Sequence, residues 1–367
     1  MIPGQSDSIT DVAGVLVGHH QRLDEDVSVA TDDEPGRGWA TGTTVVLLPE
    51  GAVAAVDVRG GGPGTRETDL LDPANTVQTA HAIVLSGGSA YGLAAADGVM
   101  SFLESQGTGL AMDTRGSVVP IVPGAVIFDL AVGEWAARPD REFGSAAAAA
   151  ATSGGVDLGS VGAGTGARAG ALKGGVGSAS ITFSTGPATG ITVGAVIVAN
   201  PVGAVLDPTT GLPWGALELE LDYYGLAHPS HDDAAALLSL TAKSSPLNTT
   251  IGVIATDAAL DAASTKRVAM TAHDGLARAI RPAHSPLDGD TLFAVATGSA
   301  TPTPAEGEVP KIPPGMNPDV ALVAAIGEAA ATVVQRAIVK AVIAATPVGG
   351  IPTFRETLPS AFASPET

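Results

Sequence analysis

The chain has 367 residues, enough for one large domain or two ordinary ones. Hydrophobic residues make up 45% of it, which provides for a large core, and the absence of cysteine excludes disulfides, thiolate metal sites and a cysteine nucleophile. The chain has a formal charge of −20. Nucleic acids and anionic membrane surfaces bind basic protein surfaces, so neither is expected as a partner.

Short apolar runs and helical periodicity predict the secondary structure. The predicted strands, in chain order, are residues 43–48, 53–58, 82–85, 119–122, 126–129, 178–183, 192–199, 251–255 and 292–296. The predicted helices are residues 91–104, 261–280 and 318–345. Because the strands come in clusters with helices between them, the pattern favours an α+β fold with helices outside layered sheets.

Two segments need a separate interpretation. Residues 318–345 are apolar enough to be considered as a membrane span, but Glu328, Arg336 and Lys340 favour a buried helix in a core or a subunit interface. Residues 207–247 are polar and rich in Pro and Gly, and they are predicted to be a mobile linker. The first twelve residues have no basic start and no apolar core, so no signal peptide and a cytoplasmic location are expected.

Several motifs suggest chemistry that their context does not support. "GAGTGA" at residues 162–167 fits a dinucleotide-binding pattern, but glycines break the sequence that would have to form the following helix. "RGGGPGTRE" at residues 59–67 lacks the Lys-Ser/Thr of a P-loop, which leaves turn formation. In "SGGSAYG", Tyr91 occupies the place where a hydrolase nucleophile elbow at Ser89 needs glycine. The seven histidines form no ligand pattern, so no metal or other cofactor is expected.

The sequence "NTT" at residues 248–250 stands directly before a predicted core strand. Asn and Thr often cap a strand, and these three residues alone favour that role. Thr249 has a second possibility, because a threonine that begins a chain carries its own base, an α-amine with a pKa of about 7.7–8.0. Cleavage between Asn248 and Thr249 would expose that amine, and the threonine hydroxyl can itself attack the Asn248 carbonyl.

Nine segments, taken together in their order along the chain, favour the nucleophile over the strand cap as the role of Thr249. They are "ITDVAGVLVGH", "TGTTVVLLPEG", "VDVRGGGPGTRETDLLDP", "LSGGSAYGL", "VPIVPGAVIFDL", "GALKGGVGSAS", "ANPVG", "LNTTIGVIATDA" and "HSPLDGDTLFAVATG". Together they resemble the autoprocessing L-aminopeptidase/D-esterase family, which includes β-peptidyl aminopeptidases and nylon-oligomer hydrolases. The resemblance implies an αββα sandwich of N-terminal-nucleophile type that cuts itself into residues 1–248 and 249–367. It also implies a homo-oligomer, often a tetramer.

The resemblance assigns roles to individual residues. Thr249 matches the nucleophile, Asn200 the amide of the oxyanion hole, and Lys173 a lysine whose charge favours the alkoxide. Asp288 and Asp290 match a pair that orients the nucleophile and its amine, although a tight turn alone also explains "DGD". The implied reaction is hydrolysis of short peptides or amides with a free N-terminal amine, built from L-, D-, β- or ω-amino acids.

Phe128 departs from the family pattern, because many relatives have at this position a tyrosine that donates to the oxyanion. Losing one such donor typically costs about 2.7–4 kcal/mol of transition-state stabilisation. The sequence therefore leaves three alternatives open: a backbone N–H replaces the tyrosine, turnover is slower, or the substrate differs. Acyl transfer through the same intermediate and a non-catalytic binding protein also remain as alternative functions.

Overall fold

The computed structural model describes residues 1–240 and 248–362. Its strands are β1 (Ile2–Pro3), β2 (Leu16–Leu23), β3 (Ala40–Val58), β4 (Thr65–Arg66), β5 (Thr79–Ser86), β6 (Leu110–Ala111), β7 (Val118–Val119), β8 (Gly124–Val126), β9 (Arg168–Ala169), β10 (Leu172–Lys173), β11 (Gly175–Thr182), β12 (Thr192–Asn200), β13 (Thr249–Ala258) and β14 (Thr291–Ala300). Its α-helices are α1 (Ala95–Ser105), α2 (Arg141–Ala149), α3 (Leu221–Tyr224), α4 (His231–Leu237), α5 (Ala262–Ala279), α6 (Val320–Ile343) and α7 (Phe354–Thr357).

Ten of the strands form one bent sheet whose two halves lie face to face, and β6 with β7 and β9 with β10 form two separate short hairpin sheets. Ten strands pair in the order β1-β11-β12-β13-β14-β3-β5-β8-β4, with β2 on the free side of β3. A core of aliphatic side chains fills the space between the halves. Helices α1 and α2 cover the outside of one half, and α5 and α6 cover the outside of the other. The four layers are therefore helix, sheet, sheet and helix, which confirms the predicted α+β class.

Strand β3 joins the two halves. Residues 40–47 pair with β2 and residues 43–47 with β5, whereas residues 53–58 pair with β14. Between these parts the register with β5 shifts, and Gly51 adopts a positive φ of 74°. The predicted strands 43–48 and 53–58 are thus one continuous strand, and residues 49–52 ("PEGA"), which interrupt the apolar pattern between them, form a bend.

Side-chain alternation along the strands decides which residues face the space between the halves. In β13, Ile251, Val253 and Ala255 point into the inner core, so Thr249 at the start of the strand lies on that same face. In β12, Val196 and Val198 point the same way, and Asn200 continues their row. The pattern therefore brings the ends of both strands to the same side of the sheet.

Helix α6 passes the length and hydropathy test for a membrane span, but 61% of its most apolar window is buried inside the protein. It packs against α5, β11 and β12, and its alanines and valines belong to the outer core of that half. The expectation of a buried helix is confirmed.

Residues 207–240 are more ordered than the mobile linker that the sequence predicts. Up to Leu240 the segment contains α3 and α4, and its Leu212, Leu221 and Leu226 are buried against the core around α6. Gln335 Nε2 donates to the Gly215 carbonyl at 2.7 Å, and Arg336 binds Glu220. The Pro and Gly residues between these leucines interrupt the apolar pattern, so the sequence does not predict their burial. Residues 241–247 lie outside the described residues, and movement of the segment after cleavage stays a prediction.

Four other elements differ from the sequence prediction. β2 and α2 were not predicted, because "LVGHHQRL" has too few apolar residues and the alanine-rich "REFGSAAAA" shows little periodicity. The predicted strand at 119–122 shrinks to Val118–Val119, since Pro120 and Pro123 cannot donate backbone hydrogen bonds. The predicted strand at 126–129 shifts to Gly124–Val126.

Candidate active site

Thr249 and Asn200 face each other at the ends of two neighbouring strands. They are partners in the antiparallel register of β12 and β13, and both are buried, with Thr249 5% exposed. The amide of Asn200 is fixed on two sides: its Oδ1 accepts the backbone N–H of Arg168 at 2.9 Å, and its Nδ2 donates to the Phe128 carbonyl at 3.2 Å. The sheet therefore holds an oriented amide beside the Thr249 side chain.

The peptide bond between Asn248 and Thr249 is held by two hydrogen-bond donors. The Thr249 hydroxyl donates to the Asn248 carbonyl oxygen, and the backbone N–H of Gly289 donates to the same oxygen at 2.9 Å. Gly289 lies so close that a methyl group on its Cα would stand 2.7 Å from Thr249 Oγ1. This arrangement polarises the Asn248 carbonyl and places the Thr249 hydroxyl next to it.

Asp288 and Asp290 flank Gly289 and are both buried. Asp290 Oδ1 accepts the backbone N–H of Thr250 at 2.7 Å, which ties the carboxylate to the residue after Thr249. Asp288 Oδ2 accepts the backbone N–H of Ser285 at 2.5 Å, while its Oδ1 has no hydrogen-bond partner among the described residues. Burial raises the pKa of Asp288, and the neighbouring Asp290 carboxylate adds to the increase.

The glycine-rich loop after β3 supports this pair. The backbone N–H of Arg59 donates to the Asp290 carbonyl at 3.0 Å, and that of Gly62 donates to the Asp288 carbonyl at 2.8 Å. "RGGGPG", which the sequence suggested was only a turn, thus holds the "DGD" loop in place through its backbone. The "DGD" sequence is itself more than a turn. The Asp290 carboxylate accepts a hydrogen bond from Thr250 of β13, and the Asp288 carboxylate accepts one from Ser285, which precedes the "DGD" sequence.

Lys173 lies fully buried in β10. Its ammonium group donates to the carbonyl oxygens of Gly164 at 2.8 Å and Gly174 at 2.9 Å, and within the described residues none of its hydrogen bonds goes to Thr249. Burial lowers the pKa of Lys173 to about 7, and the charge of Asp129 offsets part of this decrease. Burial also raises the pKa of Asp129 to about 6. The two carbonyl oxygens therefore hold the ammonium group of Lys173, and the Thr249 hydroxyl is not among its partners in the part of the chain that the structure describes.

A cavity of about 160 Å³ opens beside Asn248 and Thr249. Its wall is made by Gly62, Pro63, Gly64, Ser89, Ala90, Val126, Phe128 and Leu287. The ring of Phe128 lies edge-on against Trp135, with centroids 6.4 Å apart, and gives the cavity an apolar side. The cavity is thus small, close to the candidate nucleophile, and mostly lined by backbone and apolar groups.

Sequence reasoning missed two functional candidates. Ser89, set aside because it fits no nucleophile elbow, lines the cavity with a positive φ of 53°. Its position after a strand in "SGGS" was the available signal. His284, which directly precedes the "SPLDGD" sequence, donates from Nδ1 to Asp290 Oδ2 at 2.8 Å. In the sequence, only its position shortly before Asp288 and Asp290 could have indicated a role for His284.

Comparison with known proteins adds a family and relatives to this geometry. The model of peptidase family S58 matches residues 7–354. A protein of Mycobacterium tuberculosis named as an uncharacterized aminopeptidase is 56% identical over 97% of this chain and 99% of its own length. A 6-aminohexanoate-oligomer endohydrolase of Kocuria sp. is 32% identical over 70% of this chain and 69% of its own length.

Solved structures show the same fold. A beta-aminopeptidase from Burkholderia sp. superposes with a TM-score of 0.70 at 24% identity, covering 99% of this chain and 96% of the other. An L-aminopeptidase D-Ala-esterase/amidase from Ochrobactrum anthropi, a variant of the Ntn hydrolase fold, gives 0.69 at 22% identity over 97% and 91%. The resemblance drawn from the nine sequence segments is confirmed, and the chain belongs to peptidase family S58.

Proposed function

We propose that this protein is an N-terminal-nucleophile amide hydrolase that activates itself by cutting between Asn248 and Thr249. The coarser part, a peptidase or amidohydrolase, follows from the family and from the names of the relatives. One observation carries the finer part: the Thr249 hydroxyl and the Gly289 N–H both bind the carbonyl oxygen of Asn248.

Self-cleavage needs only groups that this site contains, and water. Thr249 Oγ attacks the Asn248 carbonyl carbon, the Gly289 N–H stabilises the negative oxygen, and the C–N bond breaks as the hydroxyl proton passes to the Thr249 nitrogen. The resulting ester between Asn248 and Thr249 is then hydrolysed by water. The products are an Asn248 carboxylate and a free α-amine on Thr249.

Turnover reuses the same hydroxyl. The α-amine of Thr249 takes the hydroxyl proton as Oγ attacks a substrate carbonyl, Asn200 Nδ2 stabilises the oxyanion, and water hydrolyses the acyl-threonine ester. Asp288 Oδ1 has no hydrogen-bond partner within residues 1–240 and 248–362, which supports a role for the Asp288 carboxylate in binding an ammonium group. The Phe128 side chain supplies no donor, and the backbone N–H of Gly289, which donates to the Asn248 carbonyl oxygen, would serve as the second donor in place of the tyrosine that many relatives have.

The proposed substrates are short amides with a free amine at the acyl end. The small, partly apolar cavity suits an unbranched or short side chain, and the relative named for 6-aminohexanoate oligomers supports ω-amino acid units. A homo-oligomer in the cytoplasm stays part of this proposal.

Intact-mass spectrometry tests the proposal directly. Wild-type protein is expected as two fragments that meet between Asn248 and Thr249, and Thr249→Ala as one full-length chain. Thr249→Ser is the matched control, because it retains a hydroxyl and should still be cut. An uncut wild-type chain, or a cut Thr249→Ala chain, would contradict the proposed nucleophile.

Activity of the cleaved protein is the second measurement. L-Alanine p-nitroanilide and a 6-aminohexanoate dimer serve as probes, and both should be hydrolysed only by protein with a free Thr249. An added amine acceptor separates hydrolysis from acyl transfer, since hydrolysis predicts that water remains the main acceptor.

A further inference from the structure

The carboxylate of Asp290 is held from two sides by different parts of the chain. Its Oδ1 accepts the backbone N–H of Thr250, as described above. Its Oδ2 accepts both the backbone N–H of His284 at 3.2 Å and the ring Nδ1–H of the same residue at 2.8 Å. One histidine therefore supplies two donors to the oxygen that faces away from β13.

His284 adopts an unusual backbone conformation to make both bonds. Its φ is 60°, in the left-handed region that residues other than glycine rarely occupy. Such a conformation costs on the order of 1–3 kcal/mol and persists only where the surroundings impose it. In this conformation both the backbone N–H and the ring of His284 reach Asp290 Oδ2.

A second histidine stands behind the first. His273 of α5 is 0% exposed, and its ring meets the His284 ring edge-on, with centroids 5.0 Å apart and planes at 68°. His273 Nε2 lies 3.0 Å from the Asp57 carbonyl oxygen, and because a carbonyl only accepts, this nitrogen carries the proton. Burial lowers the pKa of His273 below its ordinary value, so the ring is neutral at pH 7.

Other charges lie around the two rings. Asp290 and Asp288 face His284, and Asp57, with its partners Arg59 and Lys266, faces His273. Within the described residues, His284 Nε2 and His273 Nδ1 are buried without a hydrogen-bond partner. The His284 ring is therefore bound firmly only at Nδ1, where it meets Asp290, and a neutral aromatic ring packs against it.

We propose that His284 is a positioning residue: its Nδ1–H fixes the Asp290 carboxylate, which in turn holds the backbone of Thr250 and so the Thr249 hydroxyl. His273 is the wall that keeps the His284 ring in this orientation. This inference rests on the proposed function, because it concerns the alignment of the proposed nucleophile.

Two substitutions separate the donor from the backbone. His284→Asn keeps an N–H donor near the place of Nδ1 and tolerates positive φ, and His284→Gly tolerates positive φ without any side chain. For the cleaved enzyme acting on L-alanine p-nitroanilide, kcat per cleaved chain should stay within about threefold of wild type in His284→Asn. In His284→Gly it should fall by about 10–100-fold with an unchanged KM. Self-cleavage should follow the same order.

His284→Asp keeps the test decisive if the glycine variant does not fold. Asp is nearly isosteric with Asn and also tolerates positive φ, but it presents an acceptor to Asp290, so it should lose activity while Asn retains it. Wild-type kcat in His284→Gly, equal losses in the Asn and Asp variants, or a loss confined to KM would overturn the inference alone. A wild-type chain that neither cuts itself nor hydrolyses amides would overturn the proposed function and this inference together.

Discussion

Gly289 touches the side chain that we propose as the nucleophile, and its lack of a Cβ is what permits this contact. In Gly289→Ala the new methyl would lie 2.7 Å from Thr249 Oγ1 and 3.1 Å from Thr249 Cγ2, so the hydroxyl must move. A displacement of about 1 Å at a reacting group can cost about 100-fold in rate. We therefore expect self-cleavage to slow by about that factor, measured as the fraction of cut chain against time after synthesis.

Gly62→Ala is the matched control for this substitution. Gly62 lies in the wall of the same cavity, but its new methyl would meet nothing closer than the Leu287 carbonyl oxygen at 3.7 Å. Self-cleavage in this variant should match wild type. Equal slowing in both variants would mean that the loops, and not the contact with Thr249, set the rate.

Lys173 gives a prediction about pH. Because burial depresses its pKa to about 7 from the ordinary 10.5, the ammonium is present below pH 7 and is lost as the pH rises through that value. If its charge favours the Thr249 alkoxide, self-cleavage should fall by about tenfold per pH unit above pH 7. Lys173→Met should cut itself about 100-fold more slowly, with no such decline. The same decline in Lys173→Met would assign it to another group.

The deprotonation of Lys173 affects stability in the opposite direction to self-cleavage. Between pH 7 and 10.5 the unfolded chain binds a proton at Lys173 that the folded chain does not, so the contribution of this group to stability rises with pH. A fall in self-cleavage over this range therefore cannot come from unfolding caused by Lys173. Urea denaturation of the uncut Thr249→Ala chain at several pH values measures the stability.

At the scale of elements, the sequence did not predict the contact between α6 and residues 207–240. Arg336 of α6 binds Glu220 Oε1 through Nη2 at 2.6 Å and Nε at 3.1 Å, and its guanidinium also lies 4.8 Å over the ring of Tyr223. Both charged side chains are mostly buried. Removing one of them leaves the other without its partner away from water.

Arg336→Met should accordingly lower the free energy of unfolding by about 1.5–3 kcal/mol, the range for hydrogen bonds to charged groups. Arg115→Met is the control, because Arg115 pairs with Asp113 on the surface and its side chain is 85% exposed. Such exposed pairs contribute about 0–1 kcal/mol. Urea denaturation of both variants in the uncut Thr249→Ala background would show the difference, and equal effects would contradict the anchoring role of Arg336.

The sequence predicted the strands and long helices well where periodicity was strong. The buried apolar runs of β12 and β13 and the regular pattern of α5 were enough to predict these elements. The "DGD" and "NTT" sequences predicted residues of the candidate site. The bend inside β3, the support of the Asp pair by the "RGGGPG" loop and the role of His284 depend on contacts between residues far apart in the chain. Local patterns carry no information about such contacts.

At the scale of the whole molecule, the proposed cut falls inside a shared sheet. After cleavage, β13 of the small fragment would still pair with β12 of the large one, and β14 with β3. We therefore expect the two fragments to migrate as one particle in native mass spectrometry and to separate only in denaturant. Fragments that part at once under native conditions would contradict this, and the uncut Thr249→Ala chain provides the reference mass.

The continuity of β3 links activation to folding quality. Its first part pairs with β5, which leads to the cavity wall at Ser89, and its second part pairs with β14, which follows Asp290. Because β3 contributes to both halves of the sheet, we expect the two halves to form together, and with them the contact between the Gly289 N–H and the Asn248 carbonyl. If the proposed self-cleavage takes place, it would act as a checkpoint on folding, because only a chain in which both halves of the sheet are assembled would expose the Thr249 amine.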